Sequence, residues 1–326
     1  MKKIAVLCAG NRDVVMRLER MYRTADPTWV VLKKQTYRPK GETIVLDSEY
    51  FEPEEMGWDF DECVFPWCGF NANLVCTAEI IAAEITAVDV WSNRNLSLPP
   101  RVEVEPIPMT GRDQFNARLD TIRSLMAESP PPGDFSGDGF QRKYPIQVER
   151  SAIYGAALER FQGVRVVDIG CGLGWGTALL AQYCPDVVGV DINEPILEYN
   201  RQTFRGASFQ SKAPDYYPAA TLIEFLEHIP QPQEFLCGLT THRVFVSVPD
   251  ARFYPIRGAQ CPAHIHDFQP HDVANLMERA GYHPEFIGYP TVIENDLGPW
   301  EPSDFGLSTY HTAYSGPSAL FFGTRP

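Results

Sequence analysis

Apolar positions along this chain follow two rhythms that alternate. Short runs rich in β-branched and aromatic residues at 4–9, 29–32, 43–46, 63–67 and 87–91 predict strands. Between and after them, apolar residues recur at helical spacing. Val14, Leu18 and Met21 share one face over 13–23; Leu74, Ala78, Ile81 and Ile85 predict an amphipathic helix, and Phe115, Leu119, Ile122 and Met126 another. This alternation predicts a small α/β domain over residues 1–128. The Pro/Gly-rich stretch 129–144 sustains neither period and reads as a linker. A second alternating series fills 145–326. It has a helix over 146–161, strands at 166–169, 187–190, 207–210, 221–225, 244–248, 285–289 and 319–323, and helices at 178–183, 194–201 and 270–280. Pro270 suits a first helical turn and Gly281 a helix stop.

Composition narrows the partners more than the fold. The 326 residues carry a formal charge of −14, with 44% hydrophobic and 21% charged positions. That balance suits a globular chain with two cores and disfavours a broad nucleic-acid face, which needs clustered Lys and Arg. No apolar run is long enough for a membrane span, and the start, Met1 to Cys8, is met at once by Asn11-Arg12-Asp13, so it predicts a first strand. Eight scattered cysteines without Cys-x-x-Cys pairing predict reduced thiols and a cytoplasmic setting. Gly10 reads as an ordinary strand-to-helix turn, and the acidic run 47–62 as a solvated face.

The densest chemistry lies in Val166-Val167-Asp168-Ile169-Gly170-Cys171-Gly172-Leu173-Gly174-Trp175-Gly176. A strand turning straight into a helix while a ligand touches its backbone cannot carry Cβ atoms at the turn. Asp168 would repel a pyrophosphate but could receive an ammonium group. The next strand ends in Asp191, where a carboxylate can accept both hydroxyls of a ribose. Further on come Glu224-Phe225-Leu226-Glu227-His228 and His264-Ile265-His266-Asp267-Phe268.

Together these motifs resemble the class I S-adenosylmethionine-dependent methyltransferases, nearest to small-molecule and ribose O-methyltransferases. The resemblance spans roughly residues 145–326 and implies a Rossmann-like seven-stranded sheet of order 3-2-1-4-5-7-6. It further implies cofactor contacts from Asp168, Gly170, Cys171, Gly172, Gly174, Asp191, Ile192, Glu224 and Phe225. Arg150 and Tyr154 on the opening helix are expected near the cofactor's carboxylate and sulfonium, and Ser211 and Lys212, beyond the third strand, near its adenine. The first domain carries no such resemblance.

A hydroxyl acceptor must lose a proton as it receives a methyl group, so a base or a Lewis acid is needed. Glu224, Glu227 and His228 stand at i, i+3 and i+4, the spacing that shares one helical face. Ribose 2′-O-methyltransferases acting on RNA 3′ ends resemble this segment and bind a divalent metal there. The resemblance therefore implies Mg²⁺ or Mn²⁺ on Glu224, Glu227, His228 and His266 (or His264). The metal-free alternative makes His228 or His264 the base. The long segment 290–317, with Trp300, Phe305, Tyr310 and Tyr314, is expected to form a lid or substrate wall. No Asn/Asp-Pro-Pro-Tyr/Phe and no Pro-Cys motif is present, which disfavours amino-directed and cytosine-C5 DNA methylation. The expected activity is O-methylation of a small polyhydroxylated acceptor such as a sugar, nucleoside or catechol-like metabolite. Ribose methylation of RNA is the enzymatic alternative, and a non-catalytic cofactor-sensing or scaffold protein is the alternative of another class.

Overall fold

A computed structural model describes residues 2–8, 12–32, 37–46, 58–67, 75, 78–79, 81–96, 98, 104–107, 112–129, 146–254, 263–293 and 304–326. The Gly10 turn, nearly all of the 129–144 linker, most of the acidic run and Trp300 fall outside these residues. The chain folds into two compact units. One is Met1–Glu103 with Thr291–Trp300 and His311–Gly316; the other is Val104–Pro290 with Glu301–Tyr310 and Pro317–Pro326.

The first unit contains β1 (Ile4–Cys8), α1 (Arg12–Tyr22), β2 (Thr28–Leu32), β3 (Thr43–Leu46), β4 (Phe60–Pro66), β5 (Ala82–Asp89) and β6 (Arg94–Leu96). They form one sheet of order β3-β2-β1-β4-β5-β6, parallel throughout except for β6. Val6, Cys8, Val31 and Val64 on the strands pack with Val14, Val15 and Leu18 of α1. Each such fully buried aliphatic side chain contributes about 1.5–3 kcal/mol. One expectation fails here. Ile85 lies in a strand that begins at Ala82, so the helix expected through Leu74 and Ile85 stops short of it.

The second unit contains β7 (Glu105–Pro106), α2 (Arg112–Glu128), α3 (Ile146–Phe161), β8 (Val166–Ile169), α4 (Trp175–Leu180), β9 (Val187–Val190), α5 (Glu194–Thr203), β10 (Ser208–Gln210) and β11 (Ala219–Ile223). A 3₁₀ turn (Leu226–His228), α6 (Pro232–Gly238), β12 (Arg243–Pro249), α7 (Pro270–Arg279), β13 (His283–Val292), β14 (Phe305–Ser308) and β15 (Ser318–Thr324) follow; the last two residues of β13 group with the first unit. The sheet has nine strands rather than the expected seven, in the order β10-β9-β8-β11-β12-β15-β13-β14-β7. The two extra strands are β14, which lies inside the segment expected to be a lid, and its antiparallel partner β7. Phe305 is buried at the start of β14. That segment is therefore part sheet, and His311–Gly316 groups with the first unit.

The helix α2, expected to close the first domain, groups with the second unit. Arg118 donates to the Gln182 carbonyl at 3.0 Å and lies over the Tyr183 ring. Val167, Ile169, Val188, Val190, Leu222 and Val246 build the central strands' core, met by Leu226, Phe268 and Met277. No helix among the described residues is long and apolar enough to cross a membrane.

Candidate active site

The glycine-rich turn owes its shape to left-handed backbone at Gly170, Gly172 and Gly174, with φ of 76°, 50° and 75°. A Cβ at Gly170 would enter the Phe225 ring, and one at Gly174 would stand 2.6 Å from Asn200 Cγ. At Gly172 nothing lies within 4 Å of that position, so the crest of the turn faces open space. Its peptide is held from both ends. The Gly172 N–H donates to Asp191 Oδ2 at 3.0 Å, and Asn200 Nδ2 donates to the Gly172 carbonyl at 2.8 Å. Asp191 Oδ1 also accepts from the Asn193 N–H at 2.9 Å, which fixes the carboxylate while leaving lone pairs for a ligand. Ile192 beside it is 95% exposed. Cys171 is a buried free thiol in the same turn. Ser211 and Lys212 line an open cleft of about 340 Å³ with Gln210 and Asp215.

Asp168 and Tyr154 are joined in one buried hydrogen-bond network. Asp168 is 1% exposed and accepts from Thr221 at 2.7 Å, Thr177 at 2.6 Å and Tyr154 at 3.2 Å on each oxygen. Three hydroxyl protons thus already lie on this carboxylate. Burial raises its pKa, and the three hydroxyls oppose the rise. Tyr154 is buried as well, its ring against Gly176 and its hydroxyl on Asp168. Both residues form the floor beneath the turn.

The Glu-His segment is not one α-helical turn. Glu224 adopts left-handed backbone, φ 50°, and only Leu226–His228 coil, as a 3₁₀ turn. The i, i+3, i+4 arithmetic therefore fails. Glu224 is held toward β12, accepting from Ser247 Oγ at 2.8 Å while its own N–H donates to that oxygen at 3.0 Å.

Glu227 is 1% exposed, and among the described residues neither of its carboxyl oxygens has a hydrogen-bond partner. Its Oε1 lies 3.8 Å from His228 Nε2 and 4.0 Å from His264 Nε2, and one ligand atom from each of the three lies within 4.8 Å of the others. His228 Nδ1 contacts the Ala263 carbonyl at 3.1 Å. A carbonyl can only accept, so Nδ1 carries a proton toward Ala263 and Nε2 is the ring nitrogen on the Glu227 side. Burial, then the charges of His228 and Arg150, lower the His264 pKa from its ordinary value. Burial, then the charge on Glu224, push Glu227 well above the carboxylate range.

Of the two histidines expected in the metal set, His264 and not His266 stands with Glu227 and His228. His266 Nε2 donates to the Ile229 carbonyl at 2.9 Å and stacks on Phe268, outside the cluster. The amides of Ile265 and His266 both donate to the Glu227 carbonyl, and the chain pivots there so that His264 comes in. Arg150 is half-buried on α3, with its charge acting on Glu149, Glu224, Glu227 and His264, and among the described residues it has no hydrogen-bond or ion-pair partner.

Sequence reasoning passed over Asn200 and Glu149. Asn200 is a polar side chain on the face of α5 that Ile196 and Leu197 turn inward, and Glu149 a charge in a largely apolar helix. A polar residue at a buried register is the signal that marks both.

Residues 139–285 match a family model described as a methyltransferase domain. The chain is 30% identical over 149 residues to the ubiquinone biosynthesis O-methyltransferase of Aeromonas salmonicida, covering 36% of this chain and 63% of that protein. It is 29% identical over 133 residues to the enzyme of the same name from Stutzerimonas stutzeri, covering 33% and 57%. The chain thus spans less than two thirds of the length of these curated relatives. Among solved structures it is similar to a SAM-dependent methyltransferase of Thermotoga maritima, described as a possible histamine N-methyltransferase (TM-score 0.45, 16% identity, 62% of this chain and 99% of that one). It is also similar to the magnesium protoporphyrin IX methyltransferase of Synechocystis with bound SAH (TM-score 0.41, 16% identity, 66% and 98%). Residues 139–285, a little under half of the chain, therefore resemble the methyltransferase-domain family.

Proposed function

We propose that this chain transfers the methyl group of S-adenosylmethionine to a hydroxyl oxygen of a small polyhydroxylated molecule, assisted by a divalent cation on Glu227, His228 and His264. The observation that carries this reading is the partnerless buried carboxylate of Glu227, faced by two imidazole nitrogens. An ionised carboxylate out of water costs several kcal/mol unless a cation compensates it. A protonated one would need an acceptor nearer than 3.8 Å. One carboxylate oxygen and two imidazole nitrogens suit Mg²⁺ or Mn²⁺ loosely and other divalent ions as well. The similar O-methyltransferases named above support hydroxyl oxygen as the acceptor atom.

The cofactor residues fit the same reading. The open crest at Gly172 leaves room for a ligand against backbone, and Asp191 retains lone pairs for two ribose hydroxyls. Arg150, with no partner of its own among the described residues, is suited to the cofactor's carboxylate, and Ile192 and the Ser211–Lys212 cleft to its adenine. Asp168 acts from below by holding Tyr154. S-adenosylmethionine supplies a methyl group on sulfur, lost by in-line displacement, so the chain's own work is alignment and removal of the acceptor's proton. A bound divalent cation would act as a Lewis acid that lowers the pKa of that hydroxyl.

The test is metal-stripped enzyme assayed for methyl transfer with and without added Mn²⁺, alongside Mn²⁺ binding measured by electron paramagnetic resonance. Turnover should vanish on chelation and return with Mn²⁺ or Mg²⁺. Glu227→Ala and His228→Ala should each lose both activity and the bound-Mn²⁺ signal, with the double variant hardly worse. Full turnover in chelator would defeat the metal reading and leave His228 or His264 as the base.

A further inference from the structure

Gly172 is gripped twice, and both grips lead to one helix. Its N–H donates to Asp191 Oδ2 at 3.0 Å, and its carbonyl accepts from Asn200 Nδ2 at 2.8 Å. Asp191 Oδ1 accepts from the N–H of Asn193, whose side chain caps α5 by accepting from the Ile196 N–H. Asn200 stands on that same helix. The bonds therefore close a ring that runs from the crest to Asp191, through α5 and back to the crest. Asn200 is the member that stability does not explain. It is fully buried, and its Oδ1 has no hydrogen-bond partner among the described residues. A carbonyl can only accept, so the amide cannot be turned over to pair Oδ1 without losing Gly172. A buried polar atom left unpaired is destabilising, and an apolar side chain at this inward register of α5 would avoid it. Gly174 makes room for the amide. A Cβ there would stand 2.8 Å from both Nδ2 and Oδ1, so the glycine lies against the amide's flat face.

We propose that Asn200 is a positioning residue for the cofactor. Its amide fixes the peptide between Gly172 and Leu173, and a trans peptide holds its C=O and N–H in opposite directions. With the carbonyl drawn to α5, the Leu173 N–H is turned away from that helix, and among the described residues it has no acceptor. Asn200 thus keeps a backbone donor available to an acceptor atom of the ligand, and keeps the crest in register with the Asp191 carboxylate. Held in advance, both avoid the loss of freedom that a glycine turn otherwise suffers on binding. This role rests on S-adenosylmethionine lying against the crest, which titration of the wild type tests by itself.

The experiment is calorimetric titration of S-adenosylmethionine and S-adenosylhomocysteine into the whole chain, with melting temperatures recorded beside it. Asn200→Ala should bind about tenfold more weakly while folded, the effect of one lost hydrogen bond and a loosened turn. A merely structural asparagine would behave differently. The variant would melt lower, and its folded form would bind as the wild type does; that result overturns the proposal. Asn200→Asp keeps the shape and removes the donor, so at about pH 8 it should also bind about tenfold more weakly. A carboxylic acid donates again once protonated, and burial beside a carbonyl favours that form. The gap between Asn200→Asp and wild type should therefore narrow as pH falls from about 8 to about 5, whereas the Asn200→Ala gap stays constant. An Asn200→Asp gap that does not change with pH overturns the hydrogen bond as the cause. Should Asn200→Asp fail to fold, Asn200→Ala decides alone. A wild type that binds neither ligand overturns the cofactor reading, and this role with it.

Discussion

Gly172 and Gly174 carry similar left-handed backbone, yet a side chain meets different surroundings at each. At Gly174 it would press on Asn200, which is fully buried, so Gly174→Ala should destabilise folding by about 1–3 kcal/mol, the range for overpacking. At Gly172 it would enter empty space at the crest, with backbone strain of about 1–2 kcal/mol. Gly172→Val should therefore melt only slightly lower than the wild type and fail to bind S-adenosylmethionine in calorimetry. Normal affinity there would mean that the crest does not face the cofactor. In the same titration Asp191→Ala should bind about ten- to hundredfold more weakly, the loss of one or two hydrogen bonds to a charged group. The glycines and Asp191 are legible in the sequence because backbone sterics restrict what can stand there. The choice between His264 and His266 is not, since it depends on where the Glu227 carbonyl captures two amides of a distant loop. Nor is the burial of Asp168, whose hydroxyl partners come from α3, α4 and β11.

Elements with a single strong period were legible almost to the residue; Ile146–Phe161 and Val187–Val190 are examples. The start of β5 was not. Ala82, Ala83 and Glu84 favour helix by propensity, but parallel pairing of Phe60 to Pro66 with this stretch overrides it. The turn at Glu224 misled for a related reason, because a helical spacing in five residues says nothing about a left-handed first residue. The end of β12 offers a test at this scale. Asp250 is fully buried and accepts from Arg252 and from the Tyr289 hydroxyl at 2.7 Å. Burial raises its carboxyl pKa, but the bonds from Arg252 and Tyr289 outweigh burial and hold it below the ordinary value. A lowered carboxyl pKa contributes stability that is present above the unfolded value and lost as pH falls through the folded one. Arg252→Ala should therefore cost about 1–2 kcal/mol near pH 7, less than a wholly buried pair because Arg252 is half-exposed. The gap to wild type should close as pH drops below about 4. A gap that is constant from pH 3 to 7 in urea titrations would remove the charge from the explanation.

At the scale of the whole molecule, the division of the chain is not the division of its sequence. Composition places a boundary at the Pro/Gly-rich 129–144, and a cut there would divide the chain into two continuous pieces. The fold instead assigns Thr291–Trp300 and His311–Gly316 to the first unit. Within that unit Tyr314 is buried, donating its hydroxyl to Glu79 at 2.8 Å. Thr291 bridges to Ser315, their hydroxyls 2.8 Å apart, and the Val292 N–H donates to the Tyr314 carbonyl at 3.0 Å. No local pattern announces this, because a loop that returns to a distant unit has the same aromatic content as a lid. The consequence is physical. A fragment ending at residue 128 lacks the hydroxyl that Glu79 receives and exposes the apolar surface that Ala313 and Tyr314 cover. Leaving such groups unmatched costs about 1–3 kcal/mol for the hydrogen bond alone, a large part of a small domain's stability. Residues 1–128 expressed alone should then show faster backbone hydrogen exchange in β1, β4 and β5 than the same strands in the full chain. Supplying residues 291–316 on a flexible linker after residue 128 should restore much of that protection. If the short fragment is as protected as the full chain, the returning segment adds nothing to the first unit, and the boundary belongs where the sequence pattern puts it.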